Sequence, residues 1–422
     1  VQEKRVSLGR SITRYLPDFR ARSRFSERPE RDLSLRLLLS HYAGFPHEAP
    51  IGNNFKIEDA SFSEHIQSLG DVWLRHPVGE RYAYSNLGID LAGHILVVRY
   101  GMPFERVMER LVFEPLALDR TTADPEEILA DQNRAVGQSE KHESIPVTIP
   151  MIPSGGVYAS VRDMATFMQF HLKEGMLGEQ RVIDKDVLRR MYTTQIEETG
   201  AGETYRLGVS WSEMSYGGTV VNILGHSGSG FGFSSAMYWV PGQGLALAIV
   251  ANSDTNANVS RIHTSLMKRI LSQKLGEQSL VGDNLDSALS TKTLDEDRIG
   301  RIEGTYTGSI QQIELVRKDG ILGWQFRNSF SPLEFVDESR FSASTGSMTL
   351  SCLLRADDLR DPAWMDCAIQ VGDLLRFSDS MHYDHGPSDP PGPNKPECQR
   401  YLGDYELLQW GTPIATETVS IE

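Results

Sequence analysis

The stretch "GGTVVNILGHSGSGFGFSSAMYWVPGQGLALAIVANSD" (217–254) limits the fold of this 422-residue chain more than any other segment. From about Leu207 the apolar pattern shifts to a period of two, as strands require when their two faces meet different surroundings. Three antiparallel strands fit the stretch. "PGQG" (241–244) supplies a hairpin turn, and "LALAIVA" (245–251) reads as a buried strand. Such a sheet must be covered. "SRIHTSLMKRILSQKL" (260–275) follows at once, with helical spacing, and is expected to pack back on it.

The sequence before the sheet is helical. "LRLLL" (35–39) reads as a short buried helix with Asp32 as its N-cap, broken by Gly44 and Pro46. Leu87, Leu91, Ile95 and Leu96 mark a second helix that stops at Gly101, and a third runs from Phe104 to about Val112. "GGVYASVRDMATFMQFHLKEG" (155–175) places Ser160 as an N-cap three residues before Asp163, with a stop near Gly175. The first domain is therefore α+β, an antiparallel sheet with helices.

At this length a second domain is expected. A polar linker leads to short β-type runs, "GTYTGSIQQIELVRK", "ILGWQFR" and "FSASTGSMTLSCLLRA", at spacings that suit a small β-barrel-like domain. The expected boundaries are 1–280, a linker at 281–297, and 298–422. "GPSDPPGPNKPE" (386–397) reads as a loop, and "RIEGTYTG" (301–308) resembles "RYLGDYEL" (400–407), as two similar strand openings.

Charge and composition narrow the partners. A net charge of −15, from 57 acids and 42 bases, argues against nucleic acid. No apolar run approaches the roughly 20 residues of a membrane span, and "VQEKRVSLGR" does not read as a signal peptide. Cys352, Cys367 and Cys398 allow one local pair at most, so the compartment stays open, extracytoplasmic or cytoplasmic.

Three spots carry candidate chemistry. Tyr84-Ser85-Asn86 offers a phenol that could relay a proton and an amide that could orient a carbonyl. The plainer alternative is a buried aromatic with Asn86 capping the next helix. "GHSGSGFGFSS" (225–235) offers a glycine-lined strand edge whose backbone N–H groups could hold an oxyanion; a bulged strand is the alternative. "PSGGVYAS" (153–160) reads as a turn before a helix. Ser265-Leu266-Met267-Lys268 matches S-x-x-K by letter but sits in the helix after the sheet. His382 and His385 have the spacing of a metal pair but lack supporting ligands, so no metal or other cofactor is expected.

Their order along the chain carries a family resemblance. "LRLLLSHYAGFP", "HPVGERYAYSNLGIDLAGHIL", "FEPLALDRTTAD", "PSGGVYASVRDMATFMQFHL" and the sheet segment together resemble the serine β-lactamase-related hydrolases, from residue 1 to about 275. That group includes class C β-lactamases, DD-peptidases, D-aminopeptidases and β-lactamase-like esterases. The resemblance implies a β-lactamase/DD-peptidase-like domain in which Tyr84 assists proton transfer and Asn86 holds the substrate amide. His226-Ser227-Gly228 falls where relatives carry K-T-G or H-x-G, and the N–H of Ser229 would be half of an oxyanion hole. The region from about residue 296 resembles the lipocalin-like domains that follow such catalytic domains.

The third motif of that group, S-x-x-K, supplies the nucleophilic serine and its lysine. It belongs well ahead of a corner like "YLP" (15–17), and "VQEKRVSL" reads as the tail of its helix. The expectation is a chain truncated inside that helix, inactive as it stands, whose parent forms an acyl-enzyme. His226 in place of a lysine weakens the case for a substrate carboxylate, because histidine is mostly neutral near pH 7. A small-molecule or peptide substrate is expected, with esters or D-amino-acid amides ahead of antibiotics. Two other readings stand beside this one: a non-catalytic relative that binds peptides or cell-wall fragments in the same cleft, and an interaction protein working through its β-rich second domain.

Overall fold

A computed structural model describes residues 1–54, 59–139, 145–193, 205–216, 219–253, 256–275, 294–307, 312–326, 329–335, 338–346, 348–355, 364–371, 375–385, 403–409 and 412–419. The chain divides into two compact units, with the main boundary at Gly282/Asp283. In the first unit the period-2 segment folds as expected and gains a strand. β1 (Ser210–Tyr216), β2 (Thr219–Gly230), β3 (Phe233–Val240) and β4 (Leu245–Ala251) form an antiparallel sheet in sequence order.

Two helices cover that sheet, and the alternation of side chains on β3 shows that they lie on opposite faces. Met168 of α2 (Val161–Leu172) packs with Leu224, Met237 and Trp239, alongside Ala246 and Ala248. The intervening Tyr238 instead meets His263 of α3 (Asn256–Leu275), their rings 5.1 Å apart, and His263 Nε2 lies 3.0 Å from the carbonyl of Leu247. The result is a helix–sheet–helix sandwich. Both faces of β4 are covered, yet most of its residues are only half-buried, so the expectation of a buried strand is corrected.

The helical part of this unit packs around α1 (Asn86–Tyr100), whose Leu87, Leu91 and Ile95 are inaccessible, as are Ile12, Leu33, Leu38, Phe45 and Leu69. Ser160 caps α2 by accepting from Asp163 N, as expected. The helix Leu35–Leu39 is also as read, but its cap is Ser34, which accepts from Leu37 N. Asp32 instead ends the preceding turn, Pro29–Arg31, too far from the first helical N–H groups to serve them. The Phe104 helix is α-helical only to Met108 and continues as a π-helical stretch, Glu109–Phe113.

The second unit is dominated by a nine-stranded antiparallel sheet. Its alternation is visible in Gln312–Lys318, where Ile313 and Leu315 are buried between exposed Gln312 and Glu314. Tyr306, Trp324, Leu350 and Met365 complete the core. The two edge strands, Ser329–Pro332 and Glu334–Phe335, are separated in the chain by Leu333 alone. The sheet must therefore curl until its edges approach, although no ladder joins them among the described residues. Cys352 and Cys367 face each other on adjacent strands, Cα atoms 4.2 Å apart, and form a disulfide. Both similar openings begin strands, at Gly304 and Gly403. Cys398 and the 386–397 segment lie outside the described residues.

Candidate active site

Of the Tyr84-Ser85-Asn86 triplet, the serine and not the asparagine caps α1. Buried Ser85 accepts from Gly88 N at 3.3 Å and donates to the Pro46 carbonyl at 2.6 Å. Its own N–H donates to His41 Nδ1 at 3.2 Å. The alternative of Asn86 as the cap does not hold: with Ser85 serving the helix end, Asn86 is the first helical residue and its side chain is left for other contacts. Tyr84, half-buried, stands two residues ahead of it.

Asn86 Nδ2 donates to Glu48 Oε1 at 3.3 Å. Glu48 is a buried carboxylate that also accepts from Asn54 Nδ2 at 2.7 Å and has His47 Nδ1 at 2.6 Å. Asn54 in turn approaches β2, since a Cβ placed on Gly230 would lie 3.3 Å from Asn54 Oδ1. From the other side, the His41 ring lies 4.4 Å from that of Tyr205, tilted by 57°, and the Tyr205 ring meets His226 edge-on at 5.8 Å. A ring of contacts thus runs from His226 through Tyr205, His41, Ser85, Asn86, Glu48 and Asn54 to Gly230, returning to the strand from which it started.

That strand explains the glycines. β1 pairs with β2 only as far as Ser210 opposite Gly225, whereas β3 pairs with β2 to its end at Gly230. Among the described residues, no strand takes the second edge of His226–Gly230. Gly228 and Ser229 are exposed there, and the alternation of the antiparallel ladder turns the backbone of Ser229, not that of Gly228, toward the open edge. Gly225 marks the point where β1 stops. A Cβ on it would come within 2.2 Å of the Met237 carbonyl, so no larger residue fits without moving β3.

The electrostatics favour neutral histidines. Burial lowers the pKa of His226, against a smaller opposing effect of its contact with the Ser227 carbonyl. His41 is held well below the ordinary histidine value by burial and by the nearby His226 and His47. The one acidic side chain among the described residues of this ring is Glu48, and sequence reasoning missed it. The signal was an acid in the tight, aromatic "HYAGFPHEAP" (41–50), between two prolines.

A second buried pair braces the same helix. His65 Nε2 lies 3.1 Å from Asp90 Oδ2, and Ser154 donates to Asp90 through N at 2.9 Å and Oγ at 3.0 Å. The "PSGG" turn is therefore a strut for α1. Ser265 and Lys268 do not join the ring: they sit on α3, where Ser265 Oγ donates to the Arg261 carbonyl of its own helix. His382 and His385 lie on the strand Leu375–His385, and their side chains fall outside the described residues. No group of three metal-binding side chains occurs among the described residues, and none of the described helices is long and apolar enough to cross a membrane.

The chain is similar to several known proteins. D-alanyl-D-alanine-carboxypeptidase/endopeptidase AmpH of Escherichia coli K12 is 26% identical over 252 residues, 58% of this chain and 64% of that protein. The chain thus spans less than two thirds of that relative. Beta-lactamase-like protein 4 of Dictyostelium discoideum is 28% identical over 173 residues, 38% of this chain and 30% of that protein. Among solved structures, SurE with D-Leu superposes with a TM-score of 0.60 at 20% identity, over 90% of this chain and 82% of that one. An octameric penicillin-binding protein homologue from Pyrococcus abyssi gives 0.54 at 19% identity, over 90% and 83%. These likenesses show the fold. The beta-lactamase family model matches residues 1–271, and the chain belongs to that family.

Proposed function

We propose that this chain carries the substrate cleft of a serine hydrolase that works through an acyl-enzyme, on esters or D-amino-acid amides whose acyl part bears a free amine. The observation that carries this reading is the buried carboxylate of Glu48, held by Asn86 and Asn54 beside a strand edge that offers backbone groups. A buried carboxylate suits an ammonium group, because burial strengthens the attraction between opposite charges. It repels a substrate carboxylate, and neutral His226 would do nothing to offset that repulsion.

In this reading Asn86 takes the substrate amide, its own amide fixed by Glu48. The N–H of Ser229 donates to the developing oxyanion on the unpaired edge, and Gly228 keeps that edge clear of a side chain. Tyr84 relays the proton between the nucleophile and the leaving group. His226 shapes the pocket without supplying a cation. The nucleophile is the serine of an S-x-x-K motif, which none of these residues provides. The second unit is read as a lipocalin-like domain from residue 298.

The test uses the full gene product and a fluorescent phosphonate acylating probe, with the labelled peptide found by mass spectrometry. Label on a serine of an S-x-x-K motif is expected. Glu48→Gln should raise KM for a D-aminoacyl nitroanilide at least tenfold while sparing its N-acetyl counterpart. Absence of label, with a nitrophenyl ester left intact, would sink the hydrolase reading in favour of a non-catalytic binding protein. Labelling with equal loss on both substrates would remove Glu48 from recognition and leave the hydrolase standing.

A further inference from the structure

His65 has a contact besides Asp90, and it reaches the candidate site. Its Nδ1 lies 2.6 Å from the Ile51 carbonyl, in the loop 47–54 that carries Glu48 and Asn54. The ring is buried on the helix Phe62–Ser68, and Ser68 Oγ, one turn on, accepts from Ile51 N at 3.4 Å. A single helical turn thus takes both backbone groups of Ile51. At the start of the loop, Asn86 N donates to the His47 carbonyl at 3.2 Å. Gly52, at φ +72°, makes room for the ring: a Cβ there would lie 3.0 Å from His65 Nδ1 and 2.5 Å from Pro150 Cγ.

Both nitrogens of this ring face acceptors. The Ile51 carbonyl cannot donate, so Nδ1 must carry a proton. Asp90 Oδ2 is 3.1 Å from Nε2, and a second proton must lie between those two atoms. Both contacts are complete only while the His65–Asp90 pair keeps that proton. Burial alone lowers the histidine pKa, but the hydrogen bond and charge of Asp90, the Ile51 carbonyl and the charge of Glu48 outweigh it, and the net shift is upward. Asp90 on α1 and Glu48 on the loop are the acids that face the ring among the described residues, and His94 of α1 meets the same Phe62 ring. Loss of the proton leaves a ring lone pair against one of the two oxygens, with a buried acceptor unserved.

Resting on the ammonium reading of Glu48 above, we propose that His65 is a positioning residue. Through Ile51 it sets the loop that places Glu48 and Asn54 against the substrate amine, and loosening it weakens recognition of that amine without slowing turnover.

The experiment pairs kinetics on the full gene product with hydrogen exchange on the 422-residue chain. His65→Asn sets an amide N–H near the place of Nδ1 and keeps a donor for Ile51, whereas His65→Gln keeps one for Asp90 and loses Ile51. In His65→Gln the amides of 47–54 should exchange roughly tenfold faster, with those of 161–172 unchanged. KM for a D-aminoacyl nitroanilide should rise about fivefold, with kcat and the N-acetyl counterpart spared. His65→Asn should recover most of both effects; a purely structural role would move the two variants together, since each loses the charged pair. The KM ratio of His65→Gln to the native protein should fall toward one as pH rises through the raised histidine pKa, the substrate's own titration cancelling in the ratio. Unchanged exchange at 47–54, or variants that act alike, would overturn the inference. So would a selective KM rise in Glu48→Gln without one in His65→Gln, which leaves the ammonium reading standing. Equal KM changes for Glu48→Gln on both substrates would sink that reading and this inference with it.

Discussion

His171 is the residue through which acid should first loosen the sheet. It lies on α2, buried, stacked at 4.8 Å on Trp239 of β3, with Phe167 and Phe170 against its edges. Its Nδ1 is hydrogen-bonded to Tyr192 Oη, and its buried Nε2 has no partner. Burial accordingly lowers its pKa from 6.5 to about 3. The sign follows from which state takes up protons: the unfolded chain binds one below pH 6.5 and the folded chain does not, so stability is full above that value and falls as pH drops toward the folded pKa. At pH 5 the unfolded histidine is protonated by a factor of about 30, equivalent to about 2 kcal/mol. That figure is insensitive to the folded pKa as long as it stays well below 5. The assay is urea unfolding at pH 7.5 and 5.0, read by tryptophan fluorescence, on the native chain and on His171→Phe. Comparing the two isolates this residue from other buried histidines such as His41 and His226, which act in the same direction. The native chain should lose about 2 kcal/mol more than the variant between the two pH values. Matching pH dependence in the two proteins, within about 0.5 kcal/mol, would refute the reasoning.

Two further perturbations probe the braces on either unit. Asp90→Asn removes the charge that His65 faces inside the first unit, and it should lower stability by about 3–5 kcal/mol in thermal unfolding, the range for breaking a buried pair. A change below about 1 kcal/mol would mean that the pair is not ionised. Replacing Cys352 and Cys367 together by alanine opens a link that spans 15 residues, which should cost about 3 kcal/mol in an oxidising buffer and nothing once a phosphine reductant is present.

What was legible in the sequence was what local chemistry decides. The helix at Leu35–Leu39, the Ser160 cap and the stop at Gly101 all depend on residues within a few positions of one another. The cap error at Asp32 is equally local: Asp32 is a good capping residue, but Ser34 stands directly before the helix and reaches the orphan N–H groups first. The half-buried state of β4 depends on how α2 and α3 seat against it, which its own alternation does not encode. The disulfide required the register between two strands, and three cysteines alone allow three pairings.

The site divides along the same line. His226, Gly228 and Ser229 share one strand and Tyr84 and Asn86 one helix start, so short spacings mark them. Glu48 has no such spacing: its role arises only where a loop folds back so that its carboxylate meets Asn86, 38 positions away. The alternatives for Asn86, cap or ligand, could not be separated in the sequence because both call for the same amide. In the structure Ser85 decides between them, since a helix end served by one hydroxyl leaves the neighbouring amide for Glu48. A serine that reads as a spacer between two candidate residues is thus what makes the second one available. The same reasoning extends to Gly225, which carries no chemistry of its own. Its lack of a side chain lets β3 approach within contact at the residue where the pairing with β1 ends and the open strand edge begins.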